Sequence, residues 1–274
     1  MKMKKISMVM LAAALTFSLC ACGGNGDAAQ DSADDNEKKE IHIACVETSQ
    51  ALVDFVVPMM EEKGYTMEYE VFDNNMNTLS AVNDGSMDGV FVVHKPFMES
   101  FNAANDGDLV MLKPYVYTSY MGLFSEKYDS LEAIPDGATI AVANDAMNMD
   151  RGLRILEGAG LITLEGDAEQ YSVVDIKENP KNLNIIDMDQ TQLVRSLADV
   201  DGVVAFFSHM QKGGKDFNTY LARDYDPEAY PTALVVKAEN ENAQWAIDLN
   251  NAFLDEKTKE FANEYYGGLY EYYN

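Results

Sequence analysis

Positive charge is scarce in this chain. Lys and Arg number 20 against 46 Asp and Glu, a formal charge of −26 over 274 residues. Nucleic acid and anionic lipid surfaces are therefore poor partners. Cysteine is equally rare. Three residues, Cys20, Cys22 and Cys45, are too few for a disulfide framework or a four-cysteine metal site. The three histidines, His42, His94 and His209, lie far apart with no metal-ligand spacing, so neither metal nor cofactor is expected. The phosphate-binding glycine loop, the dinucleotide fingerprint, HExxH and GxSxG are all missing. By elimination the sequence points to a binding protein and not to an enzyme.

Long apolar runs are missing too. Ile6 to Leu19 is an uncharged, largely apolar stretch of about fourteen residues, short for a membrane span. It follows basic Lys2, Lys4 and Lys5 and ends in Leu19-Cys20-Ala21-Cys22 before two glycines. That pattern resembles the lipobox of bacterial lipoprotein signal peptides. It implies a signal peptide over residues 1–21, cleavage before Cys22, and a lipid on the Cys22 sulfur. The chain would then sit on the extracytoplasmic face of the cell membrane. Residues 22–38 are rich in Gly, Asp, Asn and Ala without apolar periodicity, as in a solvated tether. Cys45, within "IHIACV", reads as a buried thiol.

From residue 39 onward, short β-type runs alternate with helix-type runs. "IHIACV" precedes a segment in which Leu52, Phe55, Val56, Met59 and Met60 recur at helical spacing. "TMEYEVF", a helix candidate at 76–84, and "MDGVFVV" follow. Further on come a helix over 148–158, a strand near 183–188, a helix over 190–197 and the strand "GVVAFF". Such alternation predicts an α/β fold with largely parallel sheets. "YVYTSYMGLF" (115–124) and "DYDPEAYPTALVVK" (224–237) read as two crossings between lobes. Residues 39–118 with 232–274 would form lobe 1, and 119–231 lobe 2.

Four segments carry a resemblance: "GSMDGVFVVHKPFMESFN" (85–102), "MGLFSEKYDSLEAIPDGATIAVAND" (121–145), "NMDRGLRILEGAGLITL" (148–164) and "DIKENPKNLNIIDMDQTQLVRSLADVDGVV" (175–204). Together they resemble the NlpA or MetQ-like family of methionine ABC-importer lipoproteins, in order and with few gaps. The resemblance implies a type II periplasmic-binding-protein fold, with two α/β lobes joined by two crossing strands around a ligand cleft. It also implies a monomeric receptor for a small carboxylate solute, with an ABC permease and its ATPase as partners. A surface protein using the same fold for adhesion or signalling is the alternative.

The family's carboxylate-binding arginine falls on Arg151, in or near the start of a helix where a cation is disfavoured unless an anion joins it. Its planar guanidinium suits a carboxylate. On this reading Arg151→Ala removes binding and leaves the empty fold stable, whereas an arginine paired with Asp145 or Asp150 is the structural alternative. Asn148, from the same motif, caps the helix or touches the ligand. His94 and Phe97 match the family's His and Tyr, with Phe91 in the same segment; Tyr117 on the first crossing is a candidate wall of the cleft or a stiffener of the hinge. The family's ammonium-binding asparagine falls near Phe206 to Ser208, and Asn75 replaces a family aromatic. Phe206 cannot accept a hydrogen bond from an ammonium ion, and burying that ion unpaired would cost several kcal/mol. The ligand is thus methionine, a related amino acid or a peptide, with altered specificity, unless Ser208 or His209 supplies the acceptor.

Overall fold

A computed structural model describes residues 38–224 and 226–273. The signal peptide, Cys22 and nearly all of the tether lie outside them. The described chain belongs to one compact unit, Glu37–Asn274. It starts with β1 (Glu40–Val46), α1 (Glu47–Glu62), β2 (Thr66–Phe72), α2 (Asn75–Asn83), β3 (Gly89–Val90), α3 (Lys95–Asn105) and β4 (Leu109–Met111). After β5 (Tyr117–Ser119) come β6 (Met121–Phe124), β7 (Thr139–Ala143), α4 (Ala146–Gly158), β8 (Thr163–Leu164), β9 (Ile176–Glu178) and β10 (Asn184–Met188). Then follow α5 (Gln190–Ser196), β11 (Gly202–Phe206), α6 (Phe207–Lys212) and β12 (Ala222–Arg223). The return runs through β13 (Pro231–Thr232), β14 (Val235–Lys237), α7 (Gln244–Leu254), α8 (Glu256–Tyr266) and β15 (Tyr270–Tyr272).

Each α/β lobe is built on a five-stranded sheet. The first has the order β2-β1-β3-β14-β4 and the second β10-β7-β11-β6-β12. Parallel pairs at β1/β2, β1/β3, β7/β10 and β7/β11 come from right-sized crossover helices, while β14, β6 and β12 add antiparallel neighbours. The fold is therefore the type II periplasmic-binding-protein architecture. The crossing strands β5 and β13 lie side by side, and β15 near the C-terminus pairs with the other edge of β5. The sequence reading did not foresee that third strand, whose "YEY" is only three residues long, too short for a period of two to be read.

Central β11 shows how the sequence builds this frame. All five of its residues are buried, and alternation sends Val203 and Ala205 into one apolar cluster and Val204 and Phe206 into another. The first cluster continues without a break into lobe 1, through Ile43, Leu52, Phe91 and Phe253. The second lies under α4, with Val142, Leu153 and Leu156. Cys45 is fully buried, and burial pushes its thiol up to about 12, so it is an inert core residue.

Candidate functional site

Helix α4 starts two residues earlier than its apolar periodicity predicts. Asp145 is the N-cap and accepts from the Asn148 amide at 2.9 Å. Arg151 is consequently in the second turn, beyond the strongest field of the helix terminus. The anion beside it comes from the chain itself: Asp224, just after β12. Arg151 Nε and Nη2 donate to the two Asp224 carboxylate oxygens at 3.1 and 2.7 Å, and Nη2 also donates to the Ser119 carbonyl at 2.7 Å. Asp224 accepts in addition from the Met121 amide at 2.7 Å. Neither Asp145 nor Asp150 pairs with Arg151. Asp145 caps the helix, and Asp150 binds Arg154 and the Tyr171 amide.

The guanidinium is nearly sealed, with Arg151 1% exposed. The Tyr230 ring lies 3.8 Å from its Cζ and the Phe206 ring 5.2 Å. Of the five N–H donors three are used, and both on Nη1 have no partner. A buried unpartnered donor is costly, so Nη1 marks a place where an acceptor fits.

His94 follows β3 and caps α3. Its Nδ1 accepts from the Phe97 amide at 3.2 Å, so its proton sits on Nε2 and is donated to the Asn148 side-chain oxygen, also at 3.2 Å. This bond joins the lobes. Burial, aided by the nearby charge of Arg151, lowers the His94 pKa to about 3 and keeps the ring neutral. Asn148 completes the link by donating to Asp145 at 3.0 Å and to Gln190 at 3.5 Å.

Between the lobes lies a pocket of about 40 Å³, lined by Val46, Thr48, Asn75, Val92 and His94 from lobe 1. Gln190, Phe206, Ser208 and His209 face them from lobe 2, with Tyr117, Ser119 and Tyr270 from the hinge sheet. No Lys, Arg, Asp or Glu lines it, in a chain carrying 46 acidic side chains. Its volume admits about three waters at roughly 10–15 Å³ each, so a larger guest requires the lobes to part. An open groove of about 790 Å³ beside α1, α6 and α8 shares Thr48 and Ser208 with it.

Of the residues singled out by sequence, Asn75, His94, Tyr117, Phe206 and Ser208 meet at this pocket. Asn148 and Arg151 stand directly behind it, through His94 and Phe206. Phe91 and Phe97 are elsewhere. Phe91 stacks on Phe253 at 3.5 Å inside lobe 1, and Phe97 is buried in the same core. Tyr117 both lines the pocket and stacks on Tyr270 at 4.2 Å. Sequence reasoning missed Asp224, Tyr230, Gln190 and Tyr270. Asp224 gave no signal, being one of many acidic residues, and Tyr230 lies in a crossing segment whose partners only the fold defines.

The sequence profile described as NlpA lipoprotein matches residues 41–271. The chain is 27% identical over 273 residues to the methionine-binding lipoprotein MetQ of Bacillus subtilis, covering 97% of both chains. It is 31% identical over 199 residues to the membrane lipoprotein TpN32 of Treponema pallidum, covering 72% of this chain and 74% of that one. A nutrient-binding protein from Burkholderia cenocepacia, solved bound to methionine, superposes with a TM-score of 0.81 at 27% identity, over 85% of this chain and all of the other. With its two-lobed frame, its interlobe pocket and a match running nearly the whole length of the folded body, this chain belongs to the NlpA lipoprotein family.

Proposed function

We propose that this protein is the membrane-anchored substrate-binding lipoprotein of an ABC importer of the methionine-uptake type, and not an enzyme. It closes its lobes on a small amino-acid-like carboxylate solute and delivers it to a permease and its ATPase. The lobe boundaries fall at 118/119 and 231/232, and the anchor is a lipid on Cys22. The observation that carries the reading is the interlobe pocket backed by a buried arginine with one nitrogen unpartnered. Relatives named for methionine binding support the solute class. Two α/β lobes that touch across a cleft have the form needed for hinge closure around a ligand.

Arg151 offers Nη1 to the solute carboxylate while Asp224 holds the rest of the guanidinium in place. The solute's apolar body then lies against Phe206, Tyr117 and Val92. Native mass spectrometry of ligand-free protein against L-methionine, D-methionine and short peptides tests this. An adduct at micromolar solute is expected, and it should vanish in the Arg151→Met/Asp224→Asn protein, where the pair is replaced without leaving a lone charge. A folded wild type that takes up none of these solutes overturns the reading. Anchoring is checked separately: Cys22→Ala should leave an unprocessed precursor, and normal processing of that variant would exclude the Cys22 anchor.

A further inference from the structure

Lobe 2 carries a second cavity, of about 490 Å³, formed by α5, α6 and Glu126 after β6. That volume suits a small organic molecule. Buried Val194 and Leu197 give the cavity an apolar surface. The end of α6 packs closely on α5 because its C-cap is Gly213, where a Cβ would stand 2.6 Å from Val194 Cγ1. Four charged side chains line the cavity, and three of them, Arg195, Lys212 and Lys215, are cationic in a chain with 46 acidic and 20 basic residues. Positive charge gathered in a concave site, against the sign of the whole molecule, concentrates anions there.

All three cations are available to a ligand. Arg195, in the last turn of α5, makes no hydrogen bond or ion pair among the described residues. Lys212 is held by Glu47 and Lys215 by Glu126, each at 2.5 Å, but both pairs are exposed, and such pairs contribute little. Nδ1 of His209, a residue shared by this cavity and the interlobe pocket, is buried without a hydrogen-bond partner. A guanidinium and two ammonium groups around one space match the three terminal oxygens of a phosphate monoester, which carries about −1.5 to −2 charge at pH 7. An anionic membrane is the wrong source of that phosphate, since the molecule as a whole repels it. We propose that the α5/α6 cavity is a second ligand site, separate from the solute cleft, that takes a small organic phosphate. Arg195, Lys212 and Lys215 meet the phosphate, and the ligand's apolar body lies on Val194 and Leu197. Lys212 also ties α6 to Glu47 in α1 of lobe 1, so the ligand competes with an interlobe bridge.

NMR titration of the isotope-labelled protein with phenyl phosphate, inorganic phosphate and benzoate tests this. Phenyl phosphate should bind most tightly, and the His209 ring resonances should shift in step with its saturation. Arg195→Gln, a change at an exposed side chain, should weaken phenyl phosphate at least about tenfold, the effect of losing one charge-assisted hydrogen bond. Glu47→Gln, which releases Lys212, should strengthen it. Unmoved His209 resonances, equal binding by Arg195→Gln, or no binding of phenyl phosphate up to about 10 mM overturns the site. Inorganic phosphate or benzoate binding as tightly as phenyl phosphate overturns the assignment to an organic phosphate. Unchanged affinity in Glu47→Gln overturns the competition for Lys212.

Discussion

At the scale of single residues, the decisive feature is that Arg151 has two jobs. A solute-binding arginine alone could be removed without harm to the empty protein, which is what its sequence context suggests. Its burial against Asp224 says otherwise, because deleting one member strands an uncompensated charge in a sealed core. Arg151→Met should therefore cost about 3–5 kcal/mol of stability by urea unfolding. Adding Asp224→Asn, which keeps an acceptor for the Met121 amide, should recover more than half of that loss. A single-variant cost below about 1 kcal/mol would show that water reaches the pair and that the arginine is purely a binding residue.

At the scale of elements, α4 does most to form the site, since it carries Asn148 and Arg151 and packs Leu153 and Leu156 under the second sheet. Gly152 sits in its middle with helical geometry. A methyl group there would meet nothing closer than 3.6 Å, namely Val142 and Val204 side chains. Gly152→Ala should raise stability by about 0.5–1 kcal/mol through lower unfolded-state freedom, read as an increase in melting temperature. Lower stability would mean that the sheet cannot yield around the new methyl. Gly122 in β6 is the contrasting case, because its methyl would come within 2.8 Å of the Ala222 carbonyl oxygen. That strand passes between β11 and β12 with no space for a side chain on that face.

At the scale of the whole molecule, two neutral histidines stand where the lobes meet. His94 bonds across the interface to Asn148, and His209 lines the pocket from lobe 2. Other bridges are Lys212 to Glu47 at 2.5 Å and Gln211 to the Tyr266 carbonyl at 3.0 Å. Each histidine has an ordinary pKa of 6.5 when unfolded and a lowered one, about 3 or about 4, when folded. Below pH 6.5 the unfolded chain takes up protons that the folded chain refuses. Stability from this source is complete above pH 6.5 and is lost as pH falls, down to about 4 for His209 and about 3 for His94. The loss is up to about 1.4 kcal/mol per pH unit for each ring. Denaturant titrations at pH 7, 6 and 5 should show this decline, with a shallower slope in His209→Gln. Equal stability at the three pH values would mean that the rings are solvated in solution.

Alternating β and helix patterns in the sequence were enough to specify the α/β class and, for most of the elements they marked, the bounds to within two residues, because apolar periodicity is a local property that the sheets and helices inherit. The motif around Arg151, together with His94, likewise marked residues that do meet at or behind the cleft. Only the tertiary structure decided what Arg151 touches. Asp224 lies 73 positions away in sequence, and an ion pair across that distance depends on how β6 and β12 are paired and not on any nearby residue. The same holds for β15, which joins the hinge sheet only because β5 leaves it an open edge. It holds too for Phe91 and Phe97, whose aromatic rings suit a pocket wall and a lobe core equally well. Local chemistry set which side chains could bind a solute, and the packing of distant strands set which of them have free atoms to do it.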